Sequence, residues 1–328
     1  MPLPVDTHVT STGSEPTART GWRVVVANLA TLAAVGVGLG FFAGFAARLH
    51  WICELLTHFR AHDSASLVFI GVVLLACGAR RRGMLALITG LGIGSTLLPL
   101  YWAVPIKSES NWRLVSVNVH ADNQNYAELV NFIQETRPDV VVGLEINERW
   151  AEVLFSLSDD YPYQKLQPQT GNFGIGMLSR FPLRDSRIEW LSDHNPAIFA
   201  RIQLPDGREI TVVGSHPVPP MSAKLANMRN SQLAHLAGHV KRVNGPIIVA
   251  GDLNTTSWSP AFIDFIHETG LKDSRAGFGN QPTWRSPLSP VGIAIDHALV
   301  SEDVGVVNRQ VGRDIGSDHR PIVIDFAR

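Results

Sequence analysis

The apolar positions of this chain are distributed in two different ways. Up to residue 104 they form long runs without a charged side chain: Val24–Ala47, Ser64–Ala79 and Gly83–Val104, of 24, 16 and 22 residues. At about 1.5 Å per helical residue the first and third can cross a ~30 Å hydrocarbon core, and the second falls short unless Phe59 and Arg60 extend it. The runs predict about three transmembrane helices, near 24–47, 64–79 and 83–104, in a membrane module over 23–104. Residues 1–22, rich in Pro, Ser and Thr and without an apolar period, predict a disordered tail. Between the first two runs, Trp51, Leu55, Leu56 and Phe59 alternate with polar residues, a pattern for an interfacial helix or a loop.

Past residue 112 the pattern changes to short apolar runs. Strands are expected over Arg113–Val119, Val140–Leu144, Ile175–Ser179, Ile198–Gln203, Ile210–Ser215, Ile247–Ala250, Ala294–Val300 and Pro321–Phe326. Apolar spacing predicts helices over Tyr126–Thr136, Lys224–Arg242 and Ser259–Glu268, the last capped by Ser259 with Pro260 at its first position. Many strands with about four helices predict an α/β domain over 112–328, two sheets covered by helices. The linker expected at 105–111 is short: Pro105–Ser110 reach at most about 20 Å, which keeps the domain close to a bilayer surface.

Composition narrows the choices. Apolar residues make up 45% and charged residues 17%, which excludes a disordered chain. The two cysteines, Cys53 and Cys77, both fall in the front module, so the domain uses neither disulfides nor thiolates. The first 106 residues hold 7 Lys/Arg against 4 Asp/Glu, and the remainder 21 against 25. A back half at −4 disfavours tight binding of nucleic acid through counterion release. Arg80, Arg81 and Arg82 lie between the second and third runs, and the positive-inside rule places them in the cytoplasm. The expectation is a multi-pass protein of the cytoplasmic (inner) membrane with its domain on the extracytoplasmic side. A cleaved signal peptide is the competing reading of the first run, but 24 residues exceed a usual apolar signal segment and further runs follow.

The domain's polar residues gather where strands end. Asn118, Glu145, His216 and Asp252 each follow an apolar strand, Asn254 lies two residues beyond, and Asp318-His319 precede the last strand. Ionised groups at the ends of buried strands are costly unless paired or bound to metal. Singly each reads as a turn or cap; as a set with no excess of partner Lys or Arg beside them they read as one site.

These residues give the domain a family resemblance. The order Asn118, Glu145, His216, Gly-Asp-Leu-Asn at 251–254, Ile-Asp-His at 295–297 and Gly-Ser-Asp-His-Arg-Pro at 316–321 resembles the endonuclease/exonuclease/phosphatase superfamily, to which deoxyribonuclease I belongs. The run Gly174–Arg180 resembles that family's strand before a Ser-Arg turn. The sequence departs from it in Gly-Leu-Glu around Glu145 and in the prolines at 217, 219 and 220. The resemblance implies a DNase I-like four-layer αββα sandwich and a divalent-metal-dependent phosphoesterase that attacks phosphorus with water in line. It implies metal ligation by Glu145 with Asn118 and Asp318, and catalytic roles for His216, Asp252, Asn254, Asp296 and His319. Asp252 would orient or deprotonate the water, Asn254 hold a phosphate oxygen, and Asp296 fix the tautomer of His319. Hard oxygen ligands suit Mg²⁺ or Mn²⁺. The expected partners are the lipid bilayer and a phosphate ester, whether nucleic acid, phospholipid head group or a small molecule, with no obligate protein partner. The alternative function is a catalytically inactive, membrane-tethered binding protein on the same fold.

Overall fold

The computed structural model describes residues 18–102, 110–284 and 291–327. Its front part is helical: α1 (Ala18–Ala43), α2 (Trp51–Thr57), α3 (Arg60–Ala76), α4 (Arg80–Ser95) and the short α5 (Pro99–Trp102). Two stretches, Gly21–Ala46 and Trp51–Ala76, are long and apolar enough to cross a membrane, with mean hydropathies of 2.1 and 1.5. The expected third span is corrected by this count. The run from Gly83 does not continue as one helix, because α4 stops at Ser95 after 16 residues. Ser95 and Thr96 turn their hydroxyls back onto the Gly92 and Ile93 carbonyls, and Pro99 supplies no N–H for a continuing helix. The second span starts earlier than expected, since α3 begins at Arg60 and follows closely on α2.

The helices α3 and α4 form a tight hairpin. A Cβ on Gly90 would stand 2.9 Å from the Val68 backbone nitrogen, so the two backbones all but touch, as small residues permit between apolar helices. Arg82 at the start of α4 bonds Asn28 and Thr31 near the middle of α1. The α3–α4 turn therefore lies beside the middle of α1, while Gly44 beyond its end lies against Thr57 of α2. Leu29, Leu32, Val35, Leu39 and Phe42 of α1 remain exposed.

The remainder is a sandwich. One sheet runs β11-β12-β1-β2-β4-β3, built from β1 (Ser110–Asn118), β2 (Val140–Leu144), β3 (Tyr163–Gln167), β4 (Ile175–Ser179), β11 (Val306–Val311) and β12 (Ile322–Ala327). The other runs β5-β6-β7-β8-β10-β9, from β5 (Leu183–Ser192), β6 (Asn195–Gln203), β7 (Glu209–Ser215), β8 (Ile247–Asp252), β9 (Lys272–Asp273) and β10 (Asp296–Val300). Leu114, Val142 and Ile324 of the first sheet meet Ile198, Val212 and Ile248 of the second in a buried core. Helices α6 (Tyr126–Thr136) and α7 (Glu148–Phe155) cover the first sheet through Leu129, Phe132 and Trp150, and α8 (Ala223–Val240) and α9 (Pro260–Thr269) cover the second through Leu233, Leu236 and Phe262. The expected cap is present: Ser259 accepts from the Ala261 amide and Pro260 opens α9. Each sheet contains one parallel pair, β1 with β2 and β7 with β8.

The tail expected over 1–22 gives way to helix from Ala18, with its earlier part outside the described residues, as is most of the expected linker.

Candidate active site

The parallel pairs decide where the site forms. Asn118 closes β1, and Glu145 follows β2 directly; Asn118 is the register partner of Leu144. Ser215 closes β7 with His216 next, and Asp252 closes β8. Asp296 opens β10 as the antiparallel partner of Asp252. Two sheets packed face to face thus bring five chemically capable positions to one edge. Gly251 permits the close approach of β7 and β8, because a Cβ there would sit 2.0 Å from the Ser215 carbonyl oxygen.

Asp252 is the centre of the cluster. Its Oδ2 lies 3.4 Å from Asn118 Nδ2, 3.4 Å from His216 Nε2 and 3.6 Å from His319 Nε2. Its Oδ1 accepts from the Asn254 amide at 2.8 Å. Asn118 Nδ2 also donates to Glu145 Oε1 at 2.9 Å, and Glu145 Oε2 accepts from the Ala121 amide at 3.0 Å. His319 Nδ1 pairs with Asp296 Oδ2 at 2.9 Å. His216 Nδ1 bonds the Asn172 carbonyl at 3.0 Å. A carbonyl only accepts, so that proton sits on Nδ1 and Nε2 is left to face Asp252. Asn254 donates one amide hydrogen to the Pro217 carbonyl, which leaves its second hydrogen for another acceptor.

Backbone strain accompanies the cluster. His120, Glu145 and Asn254 all have positive φ, at 58°, 62° and 50°. Such geometry is unfavourable for residues with a Cβ and is held by surrounding contacts.

The electrostatics follow from burial and pairing. Burial opposes the charge on His319, yet the Asp296 and Asp252 carboxylates outweigh it and raise the imidazole to about 10. Burial likewise opposes His216, and its bond to Asp252 with the charges of Asp252 and Glu145 raises it. Burial pushes the Asp252 carboxyl upward, but His319 and His216 prevail and hold it below the ordinary carboxylate range.

The structure therefore brings together Asn118, Glu145, His216, Asp252, Asn254, Asp296 and His319. Asp318 stands beside them half-buried, accepting from Trp284 Nε1 at 3.3 Å. Two further participants escaped the sequence. Asn172 sets the His216 tautomer, and Ser317 ties the two halves by donating to the Asn118 carbonyl while accepting from the His319 amide. Asn172 carries no pattern that separates it from an ordinary loop residue, whereas Ser317 stands inside the Gly-Ser-Asp-His-Arg-Pro stretch without a role of its own being legible there.

The donor set fits a cation. Asp252, Asp296 and His319 offer ligand atoms within 4.8 Å of one another, a grouping that differs from the expected ligands Asn118, Glu145 and Asp318. Among the described residues Asp296 Oδ1 is buried with no hydrogen-bond partner, an arrangement that calls for an ion or a water. Three buried carboxylates, Glu145, Asp252 and Asp296, outnumber the two imidazoles.

Comparison with known proteins decides the family. The model of the Endonuclease/Exonuclease/phosphatase family matches residues 115–319. The chain belongs to that family. Endonuclease/exonuclease/phosphatase proteins are phosphoesterases such as nucleases and phosphatases, typically dependent on divalent metals. A UPF0294 protein of Vibrio cholerae is 30% identical over 141 residues, covering 42% of this chain and 47% of that one. A UPF0294 protein of Erwinia tasmaniensis is 27% identical over 277 residues, 81% of this chain and 92% of that one. The first match spans about half the length of its relative. A mannosyl-6-phosphatase of Bacteroides thetaiotaomicron superposes with a TM-score of 0.56 at 18% identity, covering 66% of this chain and all of the other. TDP2 of D. rerio complexed with a single-strand DNA product superposes with a TM-score of 0.55 at 18% identity, covering 67% of this chain and all of the other. At such identities the likeness concerns the fold.

His297, in the same motif as Asp296, points away from the cluster. Its Nε2 bonds the Thr255 carbonyl at 2.8 Å, and among the described residues its buried Nδ1 has no partner. Burial, with the Arg275 charge second, lowers this imidazole to about 4. Its folded value lies below the unfolded ~6.5. The folded state therefore binds fewer protons, and stability should fall as pH drops from about 6.5 to 4, by at most about 3 kcal/mol. His297→Gln keeps a donor for Thr255 and should flatten that part of a Tm–pH profile. An unchanged slope would remove His297 as its source.

Proposed function

We propose that the chain is a divalent-metal-dependent phosphoesterase anchored in the cytoplasmic membrane, with its sandwich on the outer side. The observation that carries the chemistry is the convergence of Asn118, His216 and His319 on one carboxylate oxygen of Asp252, beside Glu145. Glu145 and Asn118, with Asp318 as a further ligand, would hold Mg²⁺ or Mn²⁺ through hard oxygen donors. The ion when bound supplies Lewis-acid stabilisation of charge on the phosphoryl oxygens. Protonated His319 and His216 present N–H groups to the phosphate and oppose its growing charge. Asp252, kept ionised, accepts a hydrogen bond from the attacking water and aligns it. The free amide hydrogen of Asn254 holds a phosphate oxygen, and Asp296 keeps the His319 proton on Nδ1 so that Nε2 faces the reaction.

Two features support the membrane reading. The most apolar 18 residues within Gly21–Ala46 and within Trp51–Ala76 are 6% and 17% buried, whereas the core helix of a soluble domain is mostly covered. Arg82 sits at the α3–α4 end of the bundle against Asn28 and Thr31. Contacts with the sandwich come from the other end, through Arg48, Glu54 and His58. Arginines on the cytoplasmic side put the sandwich outside.

The substrate class stays as wide as phosphate esters: nucleic acid, phospholipid head group and small sugar phosphate. Spheroplasts carrying the chain, offered a panel of these with Mg²⁺, should hydrolyse a membrane-impermeant member without lysis. EDTA should abolish the turnover, and Mg²⁺ or Mn²⁺ restore it. Turnover only after lysis would reverse the orientation, EDTA-resistant turnover would remove the metal, and no turnover of any member would favour the inactive binding protein.

A further inference from the structure

The loop Asp252–Thr256 is held from behind by groups that take no part in the cluster. His297 bonds the Thr255 carbonyl. Arg229 of α8 donates from Nη1 to the Asn254 carbonyl at 2.8 Å. The same guanidinium pairs through Nη2 with Glu54 of α2. Ser259, just past the loop, also donates to Glu54 Oε1. His58, one residue beyond α2, bonds the Thr256 hydroxyl at 2.9 Å. The Arg229 side chain is fully buried and that of Glu54 is 5% exposed.

A buried guanidinium needs its carboxylate, since one without the other leaves an uncompensated charge. Only a paired Arg229 keeps its second nitrogen on the Asn254 carbonyl. That carbonyl belongs to a residue at φ 50° whose amide bonds Asp252 Oδ1. Asn adopts this conformation but at a cost, so the turn depends on what grips it.

We propose that α2 carries a positioning residue for the catalytic loop: Glu54 anchors Arg229, and Arg229 fixes the Asn254 carbonyl and with it the Asp252 carboxylate. The front helices then help set the active-site geometry instead of serving only as an anchor. The Arg48–Asp264 pair supplies a contrast. It joins the same two parts of the molecule at 2.7 Å, is exposed, and touches no atom of the loop.

The kinetic arm of the test rests on the phosphoesterase reading; the exchange arm does not. The full chain in detergent is compared as wild type, Glu54→Gln, Glu54→Asp, Arg229→Lys and Asp264→Asn. Hydrogen exchange is followed in peptides covering 252–256 and β10, and kcat and KM are measured on bis(p-nitrophenyl) phosphate with Mn²⁺. Glu54→Gln and Arg229→Lys should speed loop exchange about tenfold while β10 is unchanged. They should lower kcat about 10–10²-fold with KM within about twofold, the signature of a misplaced group. Glu54→Asp should recover most of the kcat, and Asp264→Asn should match wild type. Unchanged loop exchange in both Glu54→Gln and Arg229→Lys overturns the proposal. So does retained kcat in an active enzyme, or an equal loss in Asp264→Asn, which would make docking alone responsible. If the wild type turns over nothing, the phosphoesterase reading is what fails, and loop exchange decides this one. If Glu54→Gln does not fold, Arg229→Lys carries both arms.

Discussion

Asp252→Asn should fold and lose about 10²–10⁴-fold in kcat, the range for removing a positioned acid–base group. The substitution conserves shape, so the Asn254 amide keeps an acceptor at the loop. What disappears is a charge facing Asn118 Nδ2, His216 Nε2 and His319 Nε2. Three effects then add in one direction. The attacking water loses its acceptor. Both imidazoles lose a partner that raises them. The amide of the new side chain turns a donor toward donors. Steady-state kinetics with circular dichroism as the folding control measures the result. A variant keeping more than about a tenth of the wild-type kcat would take Asp252 out of the chemistry, because general-base removal costs at least about a hundredfold.

Asp296→Asn should cost up to about 10⁴-fold in kcat, the loss seen when the carboxylate orienting a catalytic imidazole in a serine-protease triad becomes an amide. Asp296 Oδ2 is the partner of His319 Nδ1 at 2.9 Å. It is the foremost of the groups that raise His319 to about 10 against the cost of burial. An amide in its place offers an N–H as readily as an oxygen, which permits the wrong tautomer. His319 titration followed by NMR should move toward the ordinary ~6.5. The linked stability has a definite sign. A raised imidazole stabilises fully below about 6.5 and loses that contribution as pH climbs toward 10. The variant should therefore show a weaker loss of stability across that alkaline window. An unshifted His319 titration would end the argument for the pair.

Much of this arrangement is legible in the residues. The buried strands β1, β2, β4, β6, β7, β8, β10 and β12 coincide with the expected apolar runs, and α6 spans Tyr126–Thr136 as its spacing predicts. The strands missed are β3, β5, β9 and β11, which are the four edges of the two sheets. An edge strand is half exposed and needs no unbroken apolar run, so its pattern resembles a loop; Tyr163–Gln167 holds no buried residue. The helix α7 was missed for a similar reason, since Trp150 and Leu154 are its buried residues in eight. The third expected span failed because hydropathy counts residues without asking whether glycine, serine and proline let one helix run through them.

The site divides along the same line. That Asn118, Glu145, His216, Asp252 and His319 are costly at strand ends is a property of residue type and local pattern, and the chain alone determined it. Their convergence required two sheets packed so that the ends of β1, β2, β7 and β8 meet at one edge, which is long-range geometry. The partners behind the loop were less visible still. Glu54 is one acid in an amphipathic stretch and Arg229 one base in a helix 175 residues away, and only burial of both makes them a pair. Local patterns report what each segment must hide from water. Which hidden charges neutralise one another depends on distances that only the packed chain defines.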